Sequence, residues 1–511
     1  MSDDRKRWDP VAVETLEDGA AARRPDLLDT PAAGPAAIRG TAIRFVGYGI
    51  SVLVGLAAMA LLFRHLGVED GGRYVTIVAL VGLFGGVTDA GLTTIAVREL
   101  TVRSGANRDA VFRSLLGLRV VTAFAGVALA ILFAGAAGYG STLVMGTALA
   151  GLGFALQSIQ LTLSAPLVKE LRLVWVAALD VLRWVSFALL IVGLVGLGAS
   201  LLPFFAVTIP VGLLVLALTA WLVRPRSLLR PNFDTVTWRL LVREALPFAV
   251  AIAVVSIYFK VAVIIVSLIS NAEQTGYFAA SFRVVEVVVV LPQLAMGAAF
   301  PILARAAEID RVRFAYGVRR LFEALLLFGA WVALCLVLGA GLVIDIVAGP
   351  DFAPAATVLR IQGLAVLASF VAVLWSYALL GLRRHGDLLV MTAIALAVTT
   401  ALTLVLTIEF GAKGAAVATV IGEVTMALVG GLLLVRAAGF VPLSAAPFAR
   451  VGVAATAGAA VALIPAIPVV FDLVLATVIY FAVLLAVNGI PKELIDETKR
   501  LRASGRSMSL V

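Results

Sequence analysis

Three charged residues, Lys260, Arg283 and Glu286, lie inside the most apolar part of the chain. Residues 247–303 read PFAVAIAVVSIYFKVAVIIVSLIS, then NAEQTG, then YFAASFRVVEVVVVLPQLAMGAAFPIL, which is two long apolar segments around a short polar turn. Each segment is long enough to cross a hydrocarbon core of roughly 30 Å, which takes about 20 residues of helix. With the first helix ending near Leu268 and the second starting near Gly276, a rise of about 1.5 Å per residue puts Lys260 about 12 Å and Arg283 about 10 Å below the same membrane face. A Lys or Arg at the bilayer centre costs at least about 2.5 kcal/mol, so such residues face a bundle interior or a water-filled cavity and mark a substrate or ion path. The plainer alternative is an ion pair between Arg283 and Glu286, three residues on, with Lys260 snorkelling outward. The depth of Lys260 makes a full snorkel awkward and favours a cavity.

Other ionisable residues fall within apolar segments. Arg44, at the start of the first segment, joins Lys260 and Arg283 as a candidate cavity cation. Asp180 and Arg183 are three apart, the spacing of an intrahelical ion pair with a structural role. Asp89 lies about 24 Å along its helix from the outer turn, where an unpaired carboxylate is expensive. It is either a protonatable switch or a structural partner for Arg44. Glu423, mid-membrane on the twelfth segment, either changes protonation or closes a lobe contact, and Glu286 completes the set of candidate coupling groups. Arg119 and Arg360 lie near segment ends, where snorkelling accounts for them. Pro247, Pro292 and Pro301 bracket the hairpin as candidate hinges.

The elements that must carry these residues are membrane helices. With 62% hydrophobic and 14% charged residues and a mean hydropathy of +1.08, the chain departs from soluble domains, which are about 25% charged. The pattern predicts an all-α polytopic protein with fourteen helices, near 43–63, 74–97, 115–137, 141–164, 173–197, 200–222, 246–268, 276–303, 320–343, 355–381, 387–408, 412–435, 446–466 and 470–489. The expected organisation is a disordered cytosolic tail (1–43), a six-helix lobe (44–223), a cytosolic linker (224–243), a second six-helix lobe (244–437), two additional helices (438–489) and a cytosolic tail (490–511). The early basic residues are not followed by an apolar stretch of 7–15 residues, so no signal peptide is expected. Of the 40 Lys and Arg residues, 32 fall on the tails and the loops on the side of the N-terminus, and only Arg64, Arg73 and Lys413 on the other. By the positive-inside rule both termini are cytosolic and the turn near residue 270 is external. The net charge of +9 is thus a matter of membrane topology, and no nucleic-acid partner is expected. The single cysteine, Cys335, and the two histidines, His65 and His385, offer neither a disulfide framework nor a metal cluster.

The two halves of the chain look like repeats. Aligning Gly72 with Gly276 puts an acidic residue, a small residue and an aromatic in similar order, and parallel repeats with the substrate site at their interface are a known transporter architecture. The stretch LFRHLGVEDGGRYVTIVALVGLFGGVTDAGLTTIAVREL contains a Leu-Gly turn, an acidic residue, Gly-x-Tyr and Asp-x-Gly-Leu. It resembles the opening signature of bacterial lipid-linked polysaccharide flippases, as do NAEQTGYFAASFRVVEVVVVLPQLAMGAAFPIL, AGPDFAPAATVLRIQGLAV and FGAKGAAVATVIGEV. This family sits in the superfamily of multidrug exporters and the lipid II flippase. The resemblance implies two six-helix lobes around a central cavity alternately open to either side, with helices 1, 2, 7 and 8 prominent in its wall. It also implies a polyprenyl-diphosphate-linked oligosaccharide moved to the outer leaflet of a bacterial cytoplasmic membrane, membrane lipids and polysaccharide assembly proteins as partners, and no cofactor beyond a coupling H+ or Na+. The lipid II flippase and a drug exporter are the alternatives within the superfamily. A membrane glycosyltransferase or polymerase is the alternative outside it, but the chain lacks the large outer loop and the convergent acids or histidines such enzymes use. The phosphate-binding pattern G-x-x-x-x-G-K-[ST] is also absent.

Overall fold

A computed structural model describes the backbone of residues 33–487 apart from Ala90, 103–104, 224–225, 441–444 and 464–467. The helices are α1 (Ala33–Asp89), α2 (Leu92–Val102), α3 (Gly105–Ala136), α4 (Ser141–Leu163), α5 (Ala165–Lys169), α6 (Leu173–Gly196), α7 (Leu201–Ala206) and α8 (Thr208–Leu222). They continue with α9 (Thr235–Ile269), α10 (Ala272–Ile309), α11 (Arg311–Val347), α12 (Ala355–Gly381), α13 (His385–Ala438), α14 (Ala445–Ala459) and α15 (Val469–Ala486). Among the described residues there is no strand. The expected tail of residues 1–43 is corrected at its end, because α1 already begins at Ala33. Residues 1–32 and the expected C-terminal tail beyond residue 487 lie outside the described residues.

Among the described residues, eleven helical segments are long and apolar enough to cross a membrane. Two of them are double-length, because each turns back at a glycine that no side chain constrains: Gly67 in α1 (φ 71°) and Gly411 in α13 (φ 57°). Counting the halves separately gives thirteen such segments among the described residues. Over the expected helix 446–466 run the fifteen residues of α14 and a short 3₁₀ turn, Ala460–Leu463, together about 30 Å long and so of the length of a further crossing, and residues 464–467 lie outside the described residues. Leucines and valines cover the outside: Leu132, Leu189, Val405 and Leu428 are each more than 60% exposed. A soluble protein could not present so much apolar surface to water, whereas lipid solvates it, so this is a multi-pass membrane protein.

Packing forms two bundles. In one, α1 packs on α6, α3 on α4 and α4 on α8; in the other, α9 through α13 pack among themselves, and α14 and α15 lean on α11. The chain between them is pinned to α3, where Arg113 Nε donates to Arg230 O (2.9 Å), Asn232 N to Arg113 O (2.9 Å) and Trp238 Nε1 to Ser114 O (2.9 Å). Asp234 caps α9, accepting from the Val236 amide and from the Thr237 hydroxyl, and that hydroxyl bond holds its carboxyl below the usual range.

Where α1 meets α9 and α10, glycines of α1 let the bundles approach closely. A Cβ on Gly72 would lie 2.6 Å from Gly276 N, and one on Gly86 2.3 Å from Ser256 Oγ. Gly72 and Gly276 are the two positions that the repeat alignment makes equivalent. Equivalent positions that touch each other must sit near the pseudo-twofold axis relating the repeats, as residues do at the centre of any isologous contact. Beside them, Arg64 donates to the carbonyls of Asp345 (2.8 Å) and Ile346 (3.2 Å), Phe63 meets Phe352 edge-on at 5.3 Å, and Tyr139 and Ser267 share a 2.6 Å hydroxyl bond. These contacts close the molecule at the end carrying the 270 turn.

Candidate functional site

The turn between α9 and α10 is tighter than the sequence suggests. Ser270 ends α9, and Asn271 is the N-cap of α10, its side chain accepting from the Gln274 amide at 2.8 Å. The stretch NAEQTG is therefore mostly the first turn of α10 and not a loop, because an Asn at the cap satisfies amides that would otherwise need water. Measured from the new helix ends, Lys260 lies about 14 Å and Arg283 about 16 Å down their helices, still within one turn of matching depth.

That match is realised on a single carboxylate. Lys260 Nζ donates to Glu286 Oε1, and Arg283 donates to Glu286 Oε2 at 2.7 Å. The three side chains are only 23–26% exposed. Lys260 does not snorkel. It turns inward against α1, its Cε 3.7 Å from where a Cβ on Gly82 would stand, with its ammonium 6.0 Å from the Phe282 ring centre. The sequence offered an ion pair and a cavity as alternatives, but here they coincide, since all three residues line one cavity of about 460 Å³.

The cavity lies at the junction of the two bundles. Its far wall comes from α1, α4, α6 and α8 and includes Tyr74, Phe154, Gln157, Arg183, Trp184 and Phe187. Arg183 pairs with Asp180 at 3.0 Å as its spacing implies, yet it also faces the cavity. Sequence reasoning missed Gln157, Trp184 and Phe187. One polar or aromatic residue on an apolar helix carries no signal of its direction until the neighbouring helices are placed.

Two expected assignments change. The partner of Asp89 is Arg119, at 2.6 Å, and Arg119 also donates through Nε to Ser158 O at 3.0 Å. With a side chain 3% exposed, Arg119 is buried and does not snorkel. The setting is local: α1 ends at Asp89, Gly91 adopts a positive φ (71°), and α1 and α2 both pack on α3, the helix that carries Arg119. The Asp-x-Gly-Leu element is thus a helix stop with an ion-pair anchor. The side chain of Arg44 lies outside the described residues. Arg360 is exposed, as a snorkelling residue would be. Glu423 accepts from Tyr258 Oη at 2.7 Å, a bond between α13 and α9 within the second bundle and away from the cavity lining. Pro292 and Pro301 lie inside α10 without interrupting it, and the side chain of Pro247 is outside the described residues.

The fold is similar to those of solved membrane transport proteins. The lipid II flippase MurJ in an inward closed conformation superposes with a TM-score of 0.71 at 13% identity, over 86% of this chain and 97% of that one. An inward-facing multidrug resistance MATE family transporter of the MOP superfamily gives 0.59 at 14% identity, over 79% and 98%. A MOP superfamily transporter from Pyrococcus furiosus gives 0.54 at 17% identity, over 80% and 96%. No curated protein matches the chain in sequence. Residues 37–307, more than half the chain and the stretch that carries the triad and the repeat glycines, match the family described as polysaccharide biosynthesis protein, and the chain belongs to that family.

Proposed function

We propose that the protein is a flippase that moves a polyprenyl-diphosphate-linked oligosaccharide, a repeat unit of a surface polysaccharide, from the inner to the outer leaflet of a bacterial cytoplasmic membrane. The observation that carries this reading is the convergence of Lys260 and Arg283 on Glu286 inside a cavity walled by both bundles. A diphosphate crossing low dielectric must exchange its hydration for charge-assisted hydrogen bonds, and a shielded Lys and Arg supply them. While the substrate is absent, Glu286 occupies both cations and keeps them from being buried unpaired. The lipid tail stays in the bilayer while the head passes between the bundles. Rocking of the bundles about the glycine contacts would expose the cavity to either side in turn, driven by a proton or sodium gradient. The termini are cytosolic in this reading, set by the distribution of Lys and Arg.

The experiment is Lys260→Ala and Arg283→Ala in cells, scored by outer-leaflet appearance of the lipid-linked glycan at normal protein abundance. Each loses a charge-assisted contact of roughly 1.5–3 kcal/mol, about tenfold to a hundredfold in affinity, and Lys260→Arg is milder. Flipping at the wild-type rate in both alanine variants would end the reading. A second reading, export of an amphiphilic small molecule, draws on the aromatic lining, Tyr74, Phe154, Trp184 and Phe187. It predicts transport that does not depend on Lys260.

A further inference from the structure

The cavity is chemically two-sided. Its second-bundle wall holds the charges of α9 and α10. On its first-bundle wall three polar tips find no hydrogen-bond partner among the described residues: the Gln157 amide, the Trp184 indole N–H and the Tyr74 hydroxyl. None of the three is sealed from the cavity, since none counts among the buried polar atoms that lack a partner. Unpaired polar groups are costly in a membrane interior, so three on one wall need a reason. They are also held in place. The indole packs against α1, where a Cβ on Gly55 would come within 3.0 Å of it, and meets Phe187 edge-on at 5.9 Å. The Tyr74 ring is stacked on Phe205 at 5.2 Å, and the neighbouring Arg183 is fixed by Asp180.

We infer that this wall is a carbohydrate subsite: the first sugar of the lipid-linked glycan lies against Trp184, with its hydroxyls bonded to Gln157, Tyr74 and Arg183, while its diphosphate engages Lys260 and Arg283. The chemistry fits a sugar ring, which presents C–H faces to an aromatic plane and hydroxyls that both donate and accept. Gln157 and Tyr74 can answer in both senses, whereas Arg183 and Trp184 only donate. The volume sets the reach. About 460 Å³ is the size of a pocket for one drug-sized ligand, so the cavity takes the diphosphate and the proximal sugar and leaves the rest of the repeat unit outside it. The inference rests on the function proposed above and adds which part of the substrate the first bundle reads.

The test uses the purified full chain in lipid nanodiscs and two probes, a polyprenyl diphosphate and the same lipid carrying one N-acetylhexosamine. Wild-type protein is expected to bind the sugar-bearing probe more tightly than the bare one. Gln157→Ala and Trp184→Ala should each weaken the sugar-bearing probe roughly two- to tenfold and leave the bare diphosphate unchanged, whereas Lys260→Ala weakens both. Gln157→Ala removes no hydrogen bond to a described residue, so it guards against a Trp184 variant that merely unpacks from Gly55. Equal binding of the two probes by wild type, or equal weakening of both by the two variants, overturns the subsite and leaves the diphosphate reading standing. Binding of neither probe overturns both.

Discussion

Glu286→Gln is the perturbation that most directly probes how the site holds its charge. The substitution keeps the shape of the side chain and removes the one anion that both Lys260 and Arg283 touch. With Glu286 ionised the triad carries one net positive charge, and with Gln it carries two. The three side chains are roughly three-quarters buried, so water screens these contacts less than it would a surface pair. An incoming phosphate must take at least one cation away from the carboxylate, and each charge-assisted bond is worth about 1.5–3 kcal/mol. Removing the competitor should therefore tighten binding of a polyprenyl diphosphate by about tenfold to a hundredfold. The same change leaves two partly buried cations without a counter-ion, so the unliganded variant should melt below wild type and recover when the anion is added. The assay is a titration of the purified protein in nanodiscs, paired with a melting curve with and without the probe. A Gln variant that binds no tighter than wild type, or whose lost stability the anion does not restore, refutes the reasoning. In cells, Arg283→Gln combined with Glu286→Gln separates binding from neutralisation: restored flipping would show that Arg283 serves only to balance Glu286.

Four further outcomes follow from other features of the chain. Asp89→Asn leaves Arg119 buried beside a neutral partner and should cost about 3–5 kcal/mol of stability, largely regained when Arg119→Gln is added, as a melting comparison of the single and double variants would reveal. Asp89→Asn and Glu423→Gln both transporting at the wild-type rate under a proton gradient would remove these carboxylates as coupling groups. A bulkier residue at Gly72 cannot coexist with Gly276 at the observed backbone distance, so Gly72→Val should part the bundles at that end. A cysteine at the cavity-lining Ala79 should then react several-fold faster with an impermeant thiol reagent added outside, and unchanged labelling would count against the closure. For orientation, in a Cys335→Ser background a cysteine at Asn271 should be labelled from outside intact cells and one at Ser507 should not; the reverse pattern would invert the topology.

Much of this protein is written in one dimension because the bilayer imposes one-dimensional rules. Apolar run length fixes where helices cross, loop charge gives the expected orientation, and a cation deep in an apolar segment announces an interior. Lys260, Arg283 and Glu286 were therefore legible as a group, and the i, i+3 spacing of Asp180 and Arg183 sufficed for their pair. The repeat alignment of Gly72 with Gly276 was legible as well, though not that the two residues touch. What only the tertiary structure decided are the contacts made across helices. Asp89 reaches Arg119 because α1 packs on α3, Glu423 takes Tyr258, and Gln157, Trp184 and Tyr74 assemble into one wall. A helix is polar or apolar by its own residues, but which of its faces meets a cavity depends on the rotation and neighbours it acquires on packing, and no local pattern encodes that rotation when nearly every face is apolar.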